Sequence, residues 1–268
     1  ALDLVGRKMP AHMGRYLRPF FHAVSEQVEA LTKSEDKAIT GWAAGMQQAF
    51  GALQLSTGMI AQKGMKDPEE AGAAATDYLR LLGLVGMGHC FLKSARIATE
   101  HLLELGHRRI GFIAGPAEYE LSGWRVDGWR GAMEAAGVAN ADLLAVGDFS
   151  YASGRAAAEQ LLALPTPPTA IIASNDQMTL ATLELARTRN LAVPGDLSLI
   201  SFDDTPIIRL AHPPLTAIVQ PIAEVTTQAV NRIIADLGAH PTSPTPITVP
   251  ALLSLRSSTA RPREFRGR

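Results

Sequence analysis

Lysine is missing from the last 175 residues of this 268-residue chain: all six lysines lie at or before Lys93, and arginine alone supplies strong base after it. Cysteine is almost missing too. The single thiol, Cys90, has no partner in the chain, which excludes an internal disulfide and points to a reducing compartment. Charged residues are modest, at 19%, and the net charge is -1. No basic block occurs before a short arginine-rich tail, so nothing in the balance suggests a nucleic-acid-binding surface. No stretch is long and apolar enough to span a membrane. The start lacks the basic-then-apolar order of a signal peptide, and a cytoplasmic location is expected. The chain does not open with methionine, as expected of a fragment.

A hydrophobic fraction of 47% is ample for a core, and the length allows one large or two smaller domains. Composition shifts along the chain. Six of eight methionines fall at or before Met87, whereas 14 of 17 prolines follow Arg96. Proline belongs in turns, so a helical segment is expected to precede a turn-rich α/β region, with a boundary near 94–98. Helix content does not explain the missing lysines.

The first 93 residues read as helices over 17–31, 37–63 and from residue 67 onward. Asp67-Pro68-Glu69-Glu70 is a helix start: a cap, a proline, then acids on the positive end of the dipole. Three such helices would make an antiparallel bundle. His12, His22 and His89 lack metal-ligand spacing, and no metal site is expected.

After Arg96, strand and helix alternate. A helix over 98–105 closes at Gly106. Strands are expected at 109–114, 143–146, 170–173, 197–202 and 215–218, with one or two more in 247–255. Helices are expected at about 123–136, 152–163, 178–191 and 222–237. Pro194-Gly195 fits the centre of a type II turn. Apolar strand, helix, apolar strand over 169–205 is a β-α-β unit, which implies a parallel sheet and an α/β class. Ligands of open parallel sheets sit beyond the carboxyl ends of the strands. Asn175, Asp176 and Asp203 fall there, and short polar side chains suit a small polar ligand.

Two resemblances follow from motifs. Ala1-Leu2-Asp3-Leu4-Val5-Gly6-Arg7-Lys8 resembles the stretch after the catalytic glutamate loop of acyl-CoA dehydrogenases. Ala71-Gly72-Ala73-Ala74-Ala75-Thr76-Asp77-Tyr78-Leu79-Arg80-Leu81 resembles the helical C-terminal extension of the long bacterial members. This covers residues 1–95. It implies an origin rather than an activity, because that family's glutamate, flavin and thioester regions lie upstream, so no catalytic residue and no cofactor are carried over.

The second resemblance covers residues 96–262. Ala98-Thr99-Glu100-His101-Leu102-Leu103-Glu104-Leu105-Gly106-His107-Arg108-Arg109-Ile110, Ser174-Asn175-Asp176-Gln177-Met178, Val193-Pro194-Gly195-Asp196-Leu197-Ser198, Phe202-Asp203-Asp204 and Pro213-Pro214-Leu215-Thr216 are similar to the lactose-repressor/galactose-repressor family. That resemblance implies a periplasmic-binding-protein-like effector domain of two lobes that senses a sugar or other small metabolite and dimerises. The family's helix-turn-helix and the opening of its first lobe have no counterpart, so no direct DNA contact is expected. The pattern is entered in mid-lobe at Ala98, and 143–218 reads as the second lobe. Residues 263–268 read as a tail, with Arg261, Arg263, Arg266 and Arg268 solvated.

Four residues are candidates for binding. The resemblance places Arg125 in the cleft, where a guanidinium fork can clamp vicinal hydroxyls or a carboxylate; the competing reading is a surface arginine. Asp203 can accept two sugar hydroxyls, while Asp204 reads as a brace for the next turn. Asn175 offers donor and acceptor to a hydroxyl, with Asp176 read as the helix cap. The resemblance also places Phe149 in the cleft, against an equal reading as core. Asp203 and Asp204 lack a nucleophile or water-activating partner, so catalysis is not expected. The expectation is a ligand-sensing part of such a regulator, binding a sugar or polyol as a homodimer. The alternatives are a non-catalytic acyl-CoA dehydrogenase fragment and a non-functional chimera.

Overall fold

A computed structural model describes residues 17–33, 37–64, 66–138, 141–220, 227 and 252–263. The helical segment holds α1 (Leu17–Thr32) and α2 (Lys37–Gly64), close to the expected bounds. Next comes α3, a single helix over Pro68–Glu104. Asp67 caps it, accepting from the Glu69 backbone N–H at 2.9 Å.

This is the first correction. A helix over 98–105 was expected to stand apart from the bundle, yet it is the last part of α3. The physical reason is that nothing near residue 94 stops a helix. Ser94 and Thr99 turn their hydroxyls back onto the Cys90 and Ala95 carbonyls, each at 2.8 Å, so neither offers the backbone another partner. The stop comes only at Gly106, whose φ of +101° suits glycine. There His107 N–H reaches the Leu102 carbonyl and Gly106 N–H the Leu103 carbonyl, each at 3.0 Å, which is a Schellman closure.

One helix thereby serves two cores. Ala75, Tyr78 and Val85 pack with Val24, Val28, Phe50 and Leu53 of α1 and α2. Ala95, Ala98 and Leu102 pack under the sheet with Trp129 and Phe112.

The sheet has six strands: β1 (Ile110–Ala114), β2 (Leu144–Val146), β3 (Ala170–Ala173), β4 (Ser198–Phe202), β5 (Thr216–Val219) and β6 (Leu252–Ser254). Their order is β2-β1-β3-β4-β5-β6, parallel except for the last pair. Between the strands run α4 (Glu120–Ala135), α5 (Tyr151–Leu162), α6 (Asp176–Thr188) and the short α7 (Pro206–Leu210). The central strands β1, β3 and β4 are buried along their whole length because helices cover both faces. Side chains alternate accordingly. Ile113, Ile171 and Leu199 face α5 and α6, while Phe112, Ile172 and Ile200 face α3 and α4.

A second correction concerns the lobes. The strand at 109–114 was assigned to a first lobe and 143–218 to a second. Instead β1 lies between β2 and β3 of one sheet, with Ile113 in register with Ala145 and Ala173. Strand order depends on pairing partners, which the apolar runs do not encode. A smaller difference follows. Gly195 does not take the positive φ that a type II turn demands. Arg263 is solvated as expected and also forms a surface pair with Asp196 at 3.1 Å. The expected helix over 222–237, residue 227 apart, the stretch 1–8 and residues 264–268 lie outside the described residues.

His107 ties the sheet to the end of the chain. Its Nδ1 meets Thr169 Oγ1 at 2.7 Å and its Nε2 meets the Ala260 carbonyl at 2.9 Å. Burial, the largest cause, holds its pKa below the ordinary value near 6.5, as it does for His89 and His101. A depressed histidine contributes stability that is complete above the unfolded value and is lost as pH falls below it. The unfolding midpoint should therefore drop between pH 7 and pH 5, and a thermal series across that range checks it. A midpoint rising toward acid would contradict the neutral assignment.

Candidate functional site

In the order β2-β1-β3-β4-β5 the chain moves one way from β1 to β2 and the other way from β1 to β3. That reversal falls at the carboxyl ends of β1 and β3, the place where ligands of such sheets bind. The segments after these strands supply Gly115 after β1, Phe149 after β2, Ser174 and Asn175 after β3, and Asp203 after β4.

Arg125 reaches this end of the sheet from α4. It is 5% exposed, so the surface reading fails. Its Nη1 donates to the Ser174 carbonyl at 2.9 Å. Its Cζ lies 4.6 Å from the Phe91 ring centroid and 4.5 Å from that of Phe202. Burial pushes its pKa down to about 10, opposed by the charge of Asp203. Conversely, burial pushes the Asp203 carboxyl up, opposed first by Arg125, while Asp176 adds to the rise. The two groups thus sense one another electrostatically. Gln220 Nε2 donates to Asp203 Oδ1.

Three buried polar atoms here have no protein partner: Arg125 Nε, Ser122 Oγ and Ser174 Oγ. Buried donors and hydroxyls are ordinarily satisfied, and leaving one empty costs about 1–3 kcal/mol. Two such hydroxyls together with the buried guanidinium's own Nε leave polar capacity here that the protein does not fill.

Phe149 is half-buried, with φ of +69°, and Asp203 has φ of +68°. Non-glycine residues held there mark imposed geometry. The Phe149 ring fills the space where a Cβ on Gly115 would be, only 2.1 Å from its Cζ, and lies 6.1 Å from the Tyr119 ring. It follows β2 at the carboxyl end of the sheet and packs against the core, as the core reading expects.

Asn175 departs from expectation. Its Oδ1 accepts from Met178 N–H at 2.9 Å and its Nδ2 donates to the Phe149 carbonyl at 2.7 Å. Asn175 is the cap of α6, whereas Asp176 was expected to be, and its amide braces Phe149. Asp176 is the first helical residue and accepts from Thr205 Oγ1 at 3.0 Å. Asp204 braces its turn as expected, pairing with Arg256 at 2.8 Å and Arg209 at 3.0 Å.

Sequence reasoning missed Ser122, Gln220 and Phe91. Ser122 adjoins the arginine motif, and Gln220 precedes a proline within the matched pattern. Phe91 carried no signal, since it lies in the segment assigned to a different origin. A cavity of about 660 Å³ opens between α1, α3 and α4, lined by Leu31, Leu92 and Lys93, away from Arg125 and Asp203. Among the described residues no cluster could hold a metal ion, and no helix is long and apolar enough to cross a membrane.

A mostly parallel sheet with helices on both faces and a reversal of strand order is a doubly wound α/β architecture. The family model described as periplasmic binding protein-like domain matches residues 99–259, and the chain belongs to that family. A second model, described as acetyl-CoA dehydrogenase C-terminal like, matches residues 20–115. Among curated proteins, the HTH-type transcriptional repressor CytR of Escherichia coli (strain K12) is 40% identical over 151 residues, covering 56% of this chain and 44% of that protein. The HTH-type transcriptional regulator CelR of Thermobifida fusca is 36% identical over 165 residues, covering 61% and 48%. The chain thus spans about half the length of the curated relatives it matches. Among solved structures, the Escherichia coli transcriptional repressor ascG has a TM-score of 0.59 at 31% identity, covering 64% of this chain and 62% of that one. The transcriptional regulator CelR in complex with cellobiose has a TM-score of 0.53 at 34% identity, covering 63% and 52%. The resemblance to the lactose-repressor/galactose-repressor family holds.

Proposed function

We propose that the chain is the ligand-sensing part of a transcriptional regulator, binding a small sugar or polyol without chemistry. The observation that carries this reading is the cluster of unpartnered polar atoms, Arg125 Nε, Ser122 Oγ and Ser174 Oγ, at the sheet's reversal point. Arg125 donates to ligand hydroxyls and Asp203 accepts from them; neutral hydroxyls suit a site holding both signs of charge. Phe149 supplies an aromatic edge, and Asn175 holds Phe149 in place rather than meeting the ligand. The protein acts in the cytoplasm, and this chain makes no direct DNA contact. It pairs as a homodimer through the face of α5, α6 and α7. Leu210 is 84% exposed there and Ile207 50%, beside a groove of about 320 Å³.

The test is thermal unfolding against cellobiose, hexoses, pentoses and polyols, with inorganic phosphate as the anionic probe. A binding sugar at one hundred times its dissociation constant should add about 2.7 kcal/mol of stability. No rise with any hydroxylated probe would overturn the reading, and a single-chain mass in sedimentation would remove the dimer. The match over 20–115 favours a second reading, a non-catalytic piece of an acyl-CoA dehydrogenase. That piece lacks the flavin and thioester regions, so an unfolding midpoint unmoved by any sugar, flavin or acyl-CoA would select it.

A further inference from the structure

We propose that the helical segment supplies a wall of the ligand site, and that Phe91 on α3 closes that site over Arg125. The inference rests on the reading of Arg125 as the ligand's anchor. Phe91 comes from the part of the chain that matches the dehydrogenase extension, yet its ring centroid lies 4.6 Å from the Arg125 Cζ. Phe202, at the end of β4, supplies the other ring at 4.5 Å. A guanidinium against aromatic faces, with water excluded, gains electrostatic attraction that an exposed one does not. With Nη1 on the Ser174 carbonyl, the unpartnered Nε is the polar edge left for a ligand.

The backbone that carries Phe91 is held close to α4 on both sides of it. A Cβ on Gly88 would sit 2.8 Å from the Trp124 ring, and one on Gly128 would sit 2.1 Å from the Leu92 carbonyl oxygen. Without side chains at those glycines, α3 and α4 approach at backbone distance. The docking of α3 on α4 therefore sets where the Phe91 ring stands over Arg125.

The experiment is modification of the full chain by phenylglyoxal, a small dicarbonyl that condenses with accessible guanidinium groups, read by peptide mass mapping. Arg125 should resist in the unmodified chain while exposed Arg108 and Arg189 react. In Phe91→Ala, Arg125 should react about tenfold faster, the scale that loss of a desolvated cation–π contact allows. Phe91→Leu keeps an apolar side chain of similar bulk and should fall between the two. If Phe91→Ala fails to fold, Phe91→Leu decides: reactivity above that of the unmodified chain supports the wall, and equal reactivity overturns it. Arg125 reacting readily in the unmodified chain also overturns it. The sugar reading fails separately, through the absence of any hydroxylated-probe shift in unfolding midpoint, and that result leaves the modification rates unaffected.

Discussion

Gly128→Val should lower the unfolding midpoint by roughly 10 °C, the effect of about 3 kcal/mol in a domain of this size. The replaced hydrogen faces backbone, not a side chain that can turn away. A Cβ there would lie 2.1 Å from the Leu92 carbonyl oxygen and 2.9 Å from the Ala95 Cβ. Relief requires α3 to shift bodily off α4, and α3 carries both the bundle core and Leu102 under the sheet. The gain in helix propensity over glycine, a few tenths of a kcal/mol for valine, is too small to compensate. Gly131→Ala on the same helix is the contrast. Its nearest neighbour would be Leu31 Cδ2 at 4.0 Å, so the substitution should stabilise by up to about 1 kcal/mol. The helical segment and the sheet are then expected to unfold in one transition, which Gly128→Val should broaden or split. Calorimetry reads all three outcomes, and a midpoint unchanged in Gly128→Val would mean that α3 and α4 do not cross at this distance.

Asp203→Asn should weaken sugar binding by roughly 10- to 100-fold, the loss of charge-assisted bonds of about 1.5–3 kcal/mol. The substitution spares the fold, because asparagine tolerates the φ of +68° at this position and its carbonyl can still accept from Gln220. It removes only the negative charge. The pH dependence carries a second signature. Burial pushes the Asp203 carboxyl above its ordinary range, so the ionised acceptor is lost at a higher pH than an exposed aspartate would show. Affinity of the unmodified chain should fall as pH drops through that raised value, whereas the asparagine variant should stay flat. Equal affinities at neutral pH would place the ligand elsewhere.

The parts of this fold that were legible in the sequence are those governed by local chemistry. Asp67 before a proline and two acids starts a helix wherever it stands, and the apolar run Ala170-Ile171-Ile172-Ala173 is a buried strand between a proline-rich turn and a polar cluster. The carboxyl-end positions of Asn175, Asp176 and Asp203 followed from the strands, whereas Phe149 was indicated only by the family resemblance. What was not legible depends on tertiary geometry. The change in composition near Arg96 falls where the two family resemblances meet, but no helix stop accompanies it, and α3 runs straight through. The matches over 20–115 and 99–259 overlap on the end of that helix. Choosing Asn175 over Asp176 as the cap needs the backbone at Asn175, extended at φ of -157°, which two adjacent short polar residues do not disclose. Phe91 meets Arg125 only because α3 crosses α4 at two glycines, and neither glycine announces a partner.

The central claim is that Arg125 and Asp203 form one ligand site at the carboxyl end of this sheet. Calorimetric titration tests it most directly, using the sugar that raises the unfolding midpoint most, against the unmodified chain, Arg125→Met and Asp203→Asn. The account expects saturable binding at one site per chain, undetectable in Arg125→Met and weakened in Asp203→Asn while both variants remain folded. Binding of equal strength in all three proteins would contradict it.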